Sequence, residues 1–279
     1  MGCVPAICKR RIGVKITDLG NFDAPVLLFG GPYSNLQAFE ALIDAARQLN
    51  IPAERMICTG DVVAYCGDAE ATVQAVRDAG CAVVAGNCEK QLAEGSTDCA
   101  CGFDDNSQCS ILAQGWYTHA LTQVSRDSRS WMASCPDIVV FTKGGRRYAV
   151  LHGGMTDISR FIWPVTQDAV FTEEFEAVER LVGPVDGIIA GHSGIPFVRN
   201  IGQRQWINAG AIGMPPNDGT PETRFVVQDD EPRIHRLAYD FKKARQVMEN
   251  VNLIQGYHTA LSTGFWPSED TLPPTMRRT

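Results

Sequence analysis

The sequence predicts an α/β protein built from two packed β-sheets with helices on the outside. In the first third of the chain, short apolar runs alternate with segments of helical spacing, which is typical of parallel strands covered on both faces. The second half instead carries a hairpin signal and a series of short strand-like runs. With 279 residues, the chain is long enough for one large domain or two small ones.

The first predicted elements are a strand, a tight loop and a helix. Val26 to Phe29 is a short apolar run that ends in Gly30-Gly31, and apolar residues then recur at helical spacing from Leu36 to Leu49. A second strand and helix follow over Met56 to Val76, and another apolar run covers Cys81 to Val84. This order predicts parallel strands joined by crossover helices.

The second half of the chain predicts a mostly antiparallel sheet. The runs Ile138 to Phe141 and Tyr148 to Leu151 flank a glycine pair, which indicates a β-hairpin. A predicted helix around Glu173 to Val182 leads to the apolar run Gly187 to Ala190. Four further strand-like runs with turns between them extend to residue 238.

The same patterns predict the domain organisation. We expect an N-terminal extension over residues 1–24, a main domain over residues 25–245, and a C-terminal helix and tail packed on that domain over residues 246–279. Within the main domain, residues 88–136 form an acidic, cysteine-bearing loop followed by helical segments. We interpret this stretch as an inserted cap.

Composition and charge narrow the classes of partner. Hydrophobic residues make up 44% and charged residues 20%, which excludes a disordered chain. A net charge of -7 does not favour a large nucleic acid. Neither a run of about 18 apolar residues nor a signal-peptide core is present, so we expect a cytoplasmic protein without a membrane partner. The sequence does not decide whether the protein forms a homo-oligomer.

Ten cysteines all lie in the first half of the chain. Without an export signal, reduced thiols are the expectation. A zinc or redox site is one interpretation of the cluster Cys99-x-Cys101 and Cys109. The spacing, however, is neither that of a zinc ribbon nor that of a redox Cys-x-x-Cys pair.

Four strand-like runs end in a polar residue beside a glycine: Asp61, Asn87, His152 and His192. The carboxyl ends of strands in sheets with parallel strands converge on a shared crevice. A mixed set of nitrogen and oxygen donors suits Mn, Fe or Zn better than Ca. Each residue alone is more often part of a turn or a core, so the prediction of a metal site depends on the four together.

These residues lie in motifs that resemble a known family. Gly60-Asp61, Gly86-Asn87, Leu151-His152-Gly153 and Gly191-His192-Ser193 occur in the order of the calcineurin-like metallophosphoesterases. The segment Ile207 to Gly213 resembles the Asn-Pro-Gly-Ser-Val-Gly segment of the small bacterial phosphodiesterase branch. The resemblance covers roughly residues 25 to 240 and implies a four-layer αββα sandwich of two mixed sheets with a dinuclear metal centre.

The chain departs from that family at one of the two metal sites. Where the family has Asp-x-His-Gly-Asn, this chain has Gly31-Pro32-Tyr33-Ser34-Asn35, and the final Gly-His-x-His motif ends in Gly194. The resemblance therefore implies that the non-bridging ligands of one ion are absent. The other ion would keep Asp61, Asn87, His152 and His192, so we expect one divalent ion, Mn, Fe or Zn, per chain.

The resemblance implies a metal-dependent phosphoesterase that acts on a small phosphorylated substrate, a phosphodiester or nucleotide-like ester, through an altered, mononuclear centre. The predicted catalytic residues are Asp61, Tyr33 and Cys88, and the predicted substrate-binding residues are Asn35, Asn87 and Arg160.

Each additional candidate has an alternative. Tyr33 either donates to a phosphate oxygen or merely fills the vacated metal pocket, and Arg160 either binds an anionic group or forms a surface ion pair. For Glu89 a solvated charge is the preferred interpretation. A second function class is a catalytically silent protein of the same fold that uses the cap and tail to bind a ligand or partner.

Overall fold

The structure, a computed structural model, describes residues 13–278. The strands are β1 (Ile16–Phe22), β2 (Val26–Phe29), β3 (Met56–Cys58), β4 (Ala82–Val83), β5 (Ile138–Lys143), β6 (Arg146–Val150), β7 (Gly187–Ala190), β8 (Phe197–Ile201), β9 (Arg204–Asn208), β10 (Thr223–Gln228) and β11 (Pro232–Leu237). The helices are α1 (Leu36–Gln48), α2 (Ala69–Ala79), α3 (Asn87–Glu94), α4 (Gln108–Gln123), α5 (Arg126–Ser134), α6 (Asp168–Val182), α7 (Phe241–Asn250) and α8 (Tyr257–Thr263).

The strands form two mixed sheets, as predicted. One has six strands in the order β1-β5-β6-β7-β9-β8, and the other has five in the order β11-β10-β2-β3-β4. In the five-stranded sheet, β2, β3 and β4 run parallel, whereas β10 is antiparallel to both β2 and β11. In the six-stranded sheet, β5 and β6 form the predicted hairpin, but β1 and β5 run parallel and so do β6, β7 and β9. The prediction of a mostly antiparallel sheet in the second half is therefore wrong, because β7 and β9 follow crossovers and β10 and β11 join the other sheet.

Alternation along the strands creates the layers. Val26 and Leu28 point into a core between the two sheets, whereas Leu27 and Phe29 point to the other face of β2. There they share a core with residues of α1 and α2, and Phe171 and Phe175 of α6 cover the outer face of the six-stranded sheet in the same way. The result is the four-layer αββα sandwich that the family resemblance implies.

The structure places residues 16–22 in a sheet, although the sequence analysis assigned them to the N-terminal extension. They form β1, which pairs parallel with β5 through Ile16 and Ile138. Most side chains of β1 are exposed, so the strand lacks the apolar alternation by which strands are found in a sequence. Residues 1–12 of the predicted extension lie outside the described residues.

The region predicted as a cap, residues 88–136, contains most of α3 and all of α4 and α5, and its loop differs from the prediction. The structure joins Cys99 and Cys101 in a disulfide with their Cα atoms 5.3 Å apart, so the expectation of reduced thiols is wrong for this pair. Cys109 is buried and unpaired. The zinc site that the three cysteines raised as an alternative has no support within residues 13–278, where Cys109 does not join the other two sulfurs in a ligand cluster.

The C-terminal segment lies over the loop between β9 and β10. The indole Nε1 of Trp266 donates to the carbonyl of Pro215 at 2.7 Å, and the backbone N–H of Trp266 donates to Asn217 Oδ1 at 2.8 Å. Asn217 in turn donates to Glu269. Over residues 13–278 no helix combines the length and apolar character that crossing a bilayer would require.

Candidate metal centre

The four polar residues predicted at strand ends come together where the two sheets meet. Asp61 follows β3, Asn87 begins α3 after β4, and His152 and His192 follow β6 and β7. Within residues 13–278, Asp61, His152 and His192 form the one group of three or more His, Cys, Asp or Glu side chains whose donor atoms lie within 4.8 Å of one another.

The donor atoms are arranged around Nε2 of His152. This nitrogen is 3.0 Å from Asn87 Oδ1, 3.0 Å from His192 Nδ1 and 3.3 Å from Asp61 Oδ2. Ligands bound at about 2.1 Å from one ion lie about 3.0 Å apart in an octahedron and about 3.4 Å apart in a tetrahedron. The set therefore fits a single divalent ion.

The backbone conformation sets the direction of two of these side chains, Asp61 and His192. Asp61 and His192 both adopt left-handed conformations, with φ of 56° and 55°. Such conformations are costly for residues other than glycine and cluster at functional sites. Gly60 makes room for this turn, because a Cβ at residue 60 would lie 2.7 Å from the backbone nitrogen of Gly86.

The protonation states suit metal ligands. Nδ1 of His152 lies 2.7 Å from the carbonyl oxygen of Thr59, and donating there leaves the lone pair of Nε2 facing the centre. Burial, the largest cause, lowers the pKa of His192 to about 4, so His192 is neutral at pH 7. Burial opposes protonation of His152, but Asp61 raises its pKa, so binding of a cation would displace a proton from that ring. Burial opposes ionisation of Asp61, but the neighbouring histidines hold its pKa below the ordinary value.

Glu89 is buried beside the centre, so the interpretation of this residue as a solvated charge is wrong. Its carboxylate accepts the backbone N–H groups of Asp61, Val62 and Gly86 at 2.7, 2.9 and 2.8 Å. Burial and the charge of Asp61 raise its pKa to about 7. Glu89 thus joins the loop that carries Asp61 to the loop that carries Asn87.

A family comparison identifies this arrangement. The model of the calcineurin-like phosphoesterase superfamily domain matches residues 34–231, which is more than half of the chain. The chain belongs to the calcineurin-like phosphoesterase superfamily. The match begins directly after Tyr33, at the point where the first motif of this chain departs from the family pattern.

Individual relatives agree with this membership. An uncharacterised protein of Methanocaldococcus jannaschii is 25% identical over 233 residues, which cover 76% of this chain and 86% of the relative. The fold is similar to that of a metallophosphoesterase of Sphaerobacter thermophilus, with a TM-score of 0.65, 20% identity and coverage of 87% and 100% of the two chains. A hypothetical protein of Pyrococcus horikoshii OT3 gives a TM-score of 0.70 at 14% identity and covers 86% and 98%.

In this member of the calcineurin-like phosphoesterase superfamily, Tyr33 and Cys88 both lie beside Asp61. The backbone N–H of Cys88 is 3.3 Å from Asp61 Oδ1, and burial together with Asp61 raises the pKa of the Cys88 thiol. Burial and Asp61 likewise raise the pKa of Tyr33. Both side chains therefore keep their protons at pH 7.

Two predicted substrate-binding residues are engaged elsewhere. The Asn35 amide caps α1 by accepting from the N–H of Ala38 and donates to the carbonyl of Gly213. The Arg160 guanidinium pairs with Glu173 and Glu174 at 2.7 and 2.8 Å. For Arg160 the structure thus has the ion pair that was its alternative interpretation.

Apart from Tyr33, the sequence analysis did not identify the aromatic residues that lie beside the centre. The ring of Phe161 lies 4.5 Å from that of His192, centroid to centroid. Six aromatic side chains, together with His192 and other residues, line a cleft that we call the aromatic cleft: Tyr33, Tyr65, Phe103, Phe161, Tyr257 and Trp266. The six come from separate segments, so no local motif could have indicated the cleft.

Proposed function

We propose that this chain is a metal-dependent phosphoesterase that uses one divalent ion, Mn, Fe or Zn. Asp61, Asn87, His152 and His192 would hold that ion. The observation that carries the proposal is the spacing of 3.0 to 3.3 Å around His152 Nε2, which fits ligands of one ion. It occurs at strand ends of a phosphoesterase superfamily domain.

We propose a single ion because Gly31, Tyr33 and Gly194 stand where the family resemblance implies the ligands of the other ion. A Cβ at residue 31 would lie 2.3 Å from the ring of Tyr33, so that ring occupies the space of a side chain there. The Tyr33 hydroxyl is also 3.7 Å from where a Cβ at residue 194 would be. An aromatic ring thus fills the place of the second ligand set.

The residues of the centre have distinct roles in the proposed reaction. A bound divalent ion would polarise a phosphoryl oxygen and acidify water. The ionised Asp61 accepts a hydrogen bond from the attacking water and orients it. The protonated hydroxyl of Tyr33 donates to a phosphoryl oxygen of a phosphodiester or nucleotide-like ester. Cys88 acts by positioning Asp61 through its backbone N–H.

A catalytically silent binding protein is the second candidate function. It is favoured by the ring of Tyr33 in the vacated site, because losing an ion removes charge that would stabilise a phosphoryl-transfer transition state. Arg160 pairs with Glu173 and Glu174, so its positive charge does not replace the charge of the missing ion.

Metal content separates these functions. We expect protein purified without chelator to contain close to one ion per chain by inductively coupled plasma mass spectrometry. Loaded separately with Mn, Fe and Zn, it should hydrolyse bis-p-nitrophenyl phosphate or p-nitrophenyl phosphate with at least one metal. A metal content near zero would favour the binding protein, and two ions would show that other groups rebuild the second site. One ion without hydrolysis of either ester would contradict the enzyme.

A further inference from the structure

The Cys99–Cys101 disulfide lies against Asn87, one of the four residues of the candidate metal centre. The side-chain Nδ2 of Asn87 donates to the carbonyl oxygen of Cys99 at 2.9 Å and lies 3.5 Å from Sγ of Cys101. All three residues are buried. A disulfide is therefore in direct contact with one of the donor side chains of the centre.

The carbonyl of Cys99 determines which end of the Asn87 amide faces the centre. A carbonyl oxygen only accepts hydrogen bonds, so the nitrogen of the amide must point to Cys99. Because the amide is planar, its oxygen then points the other way, and Oδ1 lies 3.0 Å from His152 Nε2. An amide binds a cation through its oxygen. The hydrogen bond to Cys99 thus holds Asn87 in the orientation of a ligand.

The disulfide closes a small ring that contains this carbonyl group. The ring runs from Cys99 through the backbone of Ala100 to Cys101 and returns across the two sulfur atoms. The carbonyl carbons of Cys99 and Ala100 are both atoms of the ring. Their oxygens accept hydrogen bonds from outside it, one from Asn87 and one from the hydroxyl of Ser159. Closure of the ring therefore limits the directions in which both carbonyl groups can point.

Ala100 has a backbone conformation that an open chain would tend to leave. Its φ is 50°, in the left-handed region that residues other than glycine rarely adopt. Residues 95–107 form a loop between α3 and α4, so no helix or strand holds this conformation. The exposed carboxylate of Asp98 accepts the N–H of Ala100 at 2.7 Å, but a solvated hydrogen bond is far weaker than a covalent closure. Opening the ring allows Ala100 to relax, which turns the Cys99 carbonyl away from Asn87.

We propose that the Cys99–Cys101 disulfide is a redox switch that sets the affinity of the centre for its metal ion. When the pair is oxidised, the ring holds Asn87 as a ligand, and when it is reduced, Asn87 is released and fewer ligands hold the ion. A dithiol reduces the pair by exchange: it gives up two electrons and two protons and forms its own disulfide, while the Cys99–Cys101 bond breaks and each sulfur gains a proton. The proposal rests on the proposed function, because Asn87 is a ligand only if the centre holds an ion.

The test compares Mn(II) binding by the whole chain before and after reduction. Electron paramagnetic resonance measures the free ion, and Mn(II) suits the test because it favours oxygen and nitrogen donors over thiols. Dithiothreitol reduces the protein and is removed by gel filtration under nitrogen, and peptide mass mapping after alkylation reports the state of the pair. We expect reduction to raise the Kd for Mn(II) about tenfold, as when a partner that orients a ligand is lost. Equal Kd values in the two states would overturn the switch and leave the proposed function standing.

The double variant Cys99→Ser with Cys101→Ser tests whether this pair is responsible. Because it cannot close the ring, it should have the weaker Kd of the reduced protein and no response to dithiothreitol. The matched control is Cys109→Ser, which removes a buried, unpaired thiol of the same region and should keep the full response. Circular dichroism first establishes that each variant is folded. A response that persists in the double variant would contradict the assignment to this pair.

A signal from Asn87 itself separates this proposal from the proposed function. The side-chain amide gives a pair of cross-peaks in a proton–nitrogen NMR spectrum, which Asn87→Asp identifies by their loss. We expect reduction of the metal-free protein to shift this pair, because the hydrogen bond to Cys99 is broken. An unchanged pair would overturn the switch whatever the metal content. A shifted pair in a protein that binds no Mn(II), Fe(II) or Zn(II) in either redox state would instead contradict the proposed metal centre, and the disulfide would still position Asn87.

Discussion

His152 and His192 differ from other histidines of the chain in what their ring nitrogens face. Both rings meet at the candidate centre, with Nε2 of the first 3.0 Å from Nδ1 of the second. His119 lies in α4 and contacts the carbonyl oxygen of Gly67 at 3.2 Å, whereas the ring of His235 in β11 stacks on Phe225. Of these four histidines, only His152 and His192 lie in the cluster that contains Asp61 and Asn87.

We expect His152→Ala and His192→Ala each to lose most of the bound metal. Each variant removes one of the four proposed ligands, and an ion bound by fewer ligands is held less tightly. His119→Ala and His235→Ala should keep the wild-type metal content, measured on protein whose circular dichroism spectrum shows that it is folded. The same metal content in all four variants would remove the basis for the site.

The four donor residues were predictable because each follows an apolar run at a strand end, which is a local pattern. Glu89 was not, since a Glu near the start of a helix is usually solvated and only the tertiary fold shows that its carboxylate receives three N–H groups. Phe161 and Trp266 reach the same cleft from distant parts of the chain. No spacing in the sequence encodes that proximity.

The carboxylate of Glu70 connects helix α2 to the junction between helices α4 and α5. Glu70 in the first turn of α2 accepts the backbone N–H of Ser125 at 2.9 Å, the hydroxyl of Ser128 at 2.9 Å and the amide of Gln74 at 2.9 Å. Burial opposes the charge of Glu70, but these hydrogen bonds outweigh it and lower its pKa. The folded state therefore prefers the ionised form.

This preference predicts a pH-dependent contribution to stability. Because the pKa of Glu70 is lower in the folded state than in the unfolded state, its contribution is fully present above the ordinary glutamate pKa and disappears as the pH falls through the lowered value. Glu70→Gln should reduce the free energy of unfolding at pH 7, and the difference from wild type should shrink in acid. Urea denaturation at several pH values measures it. A constant difference across that range would show that the charge of Glu70 is not involved.

The elements with regular apolar spacing, such as β2 and α1, were predictable from the sequence, and so was the β5–β6 hairpin with its glycine pair. Strand β1 was not predictable, because most of its side chains are exposed and show no apolar alternation. It is held in the sheet by backbone pairing with β5. The Cys99–Cys101 disulfide likewise depends on a loop conformation rather than on spacing.

At the scale of the whole molecule, the core between the sheets unites the two halves of the chain. The first half contributes Leu28 and Ile57, and the second contributes Phe141, Tyr148 and Ile207. The order of elements predicted two packed sheets with helices outside, but not that β10 and β11 would join the parallel strands of the first half in one sheet. The side-chain contacts across the sheets were not predictable in the same way, since they depend on packing.

We expect Phe141→Ala to destabilise the protein by about 3–5 kcal/mol, because it leaves a cavity in the core between the sheets. The Phe141 side chain is 1% exposed and its ring stacks on that of Tyr148. The control is Ile111→Ala on α4, where the side chain is 61% exposed and the change should be within roughly 0.5 kcal/mol. Guanidinium denaturation compares the two, and equal losses would mean that the core between the sheets does not dominate stability.

The close approach of Gly31 and Tyr33 couples the two positions to each other. An aspartate at residue 31 would clash with the ring of Tyr33, whose atoms lie 2.3 Å from the position of the new Cβ. Replacing Tyr33 first would instead open a cavity, since that side chain is buried. A change at residue 31 alone or at residue 33 alone is therefore expected to lower stability. A second set of ligands would require Gly31 and Tyr33 to be replaced together.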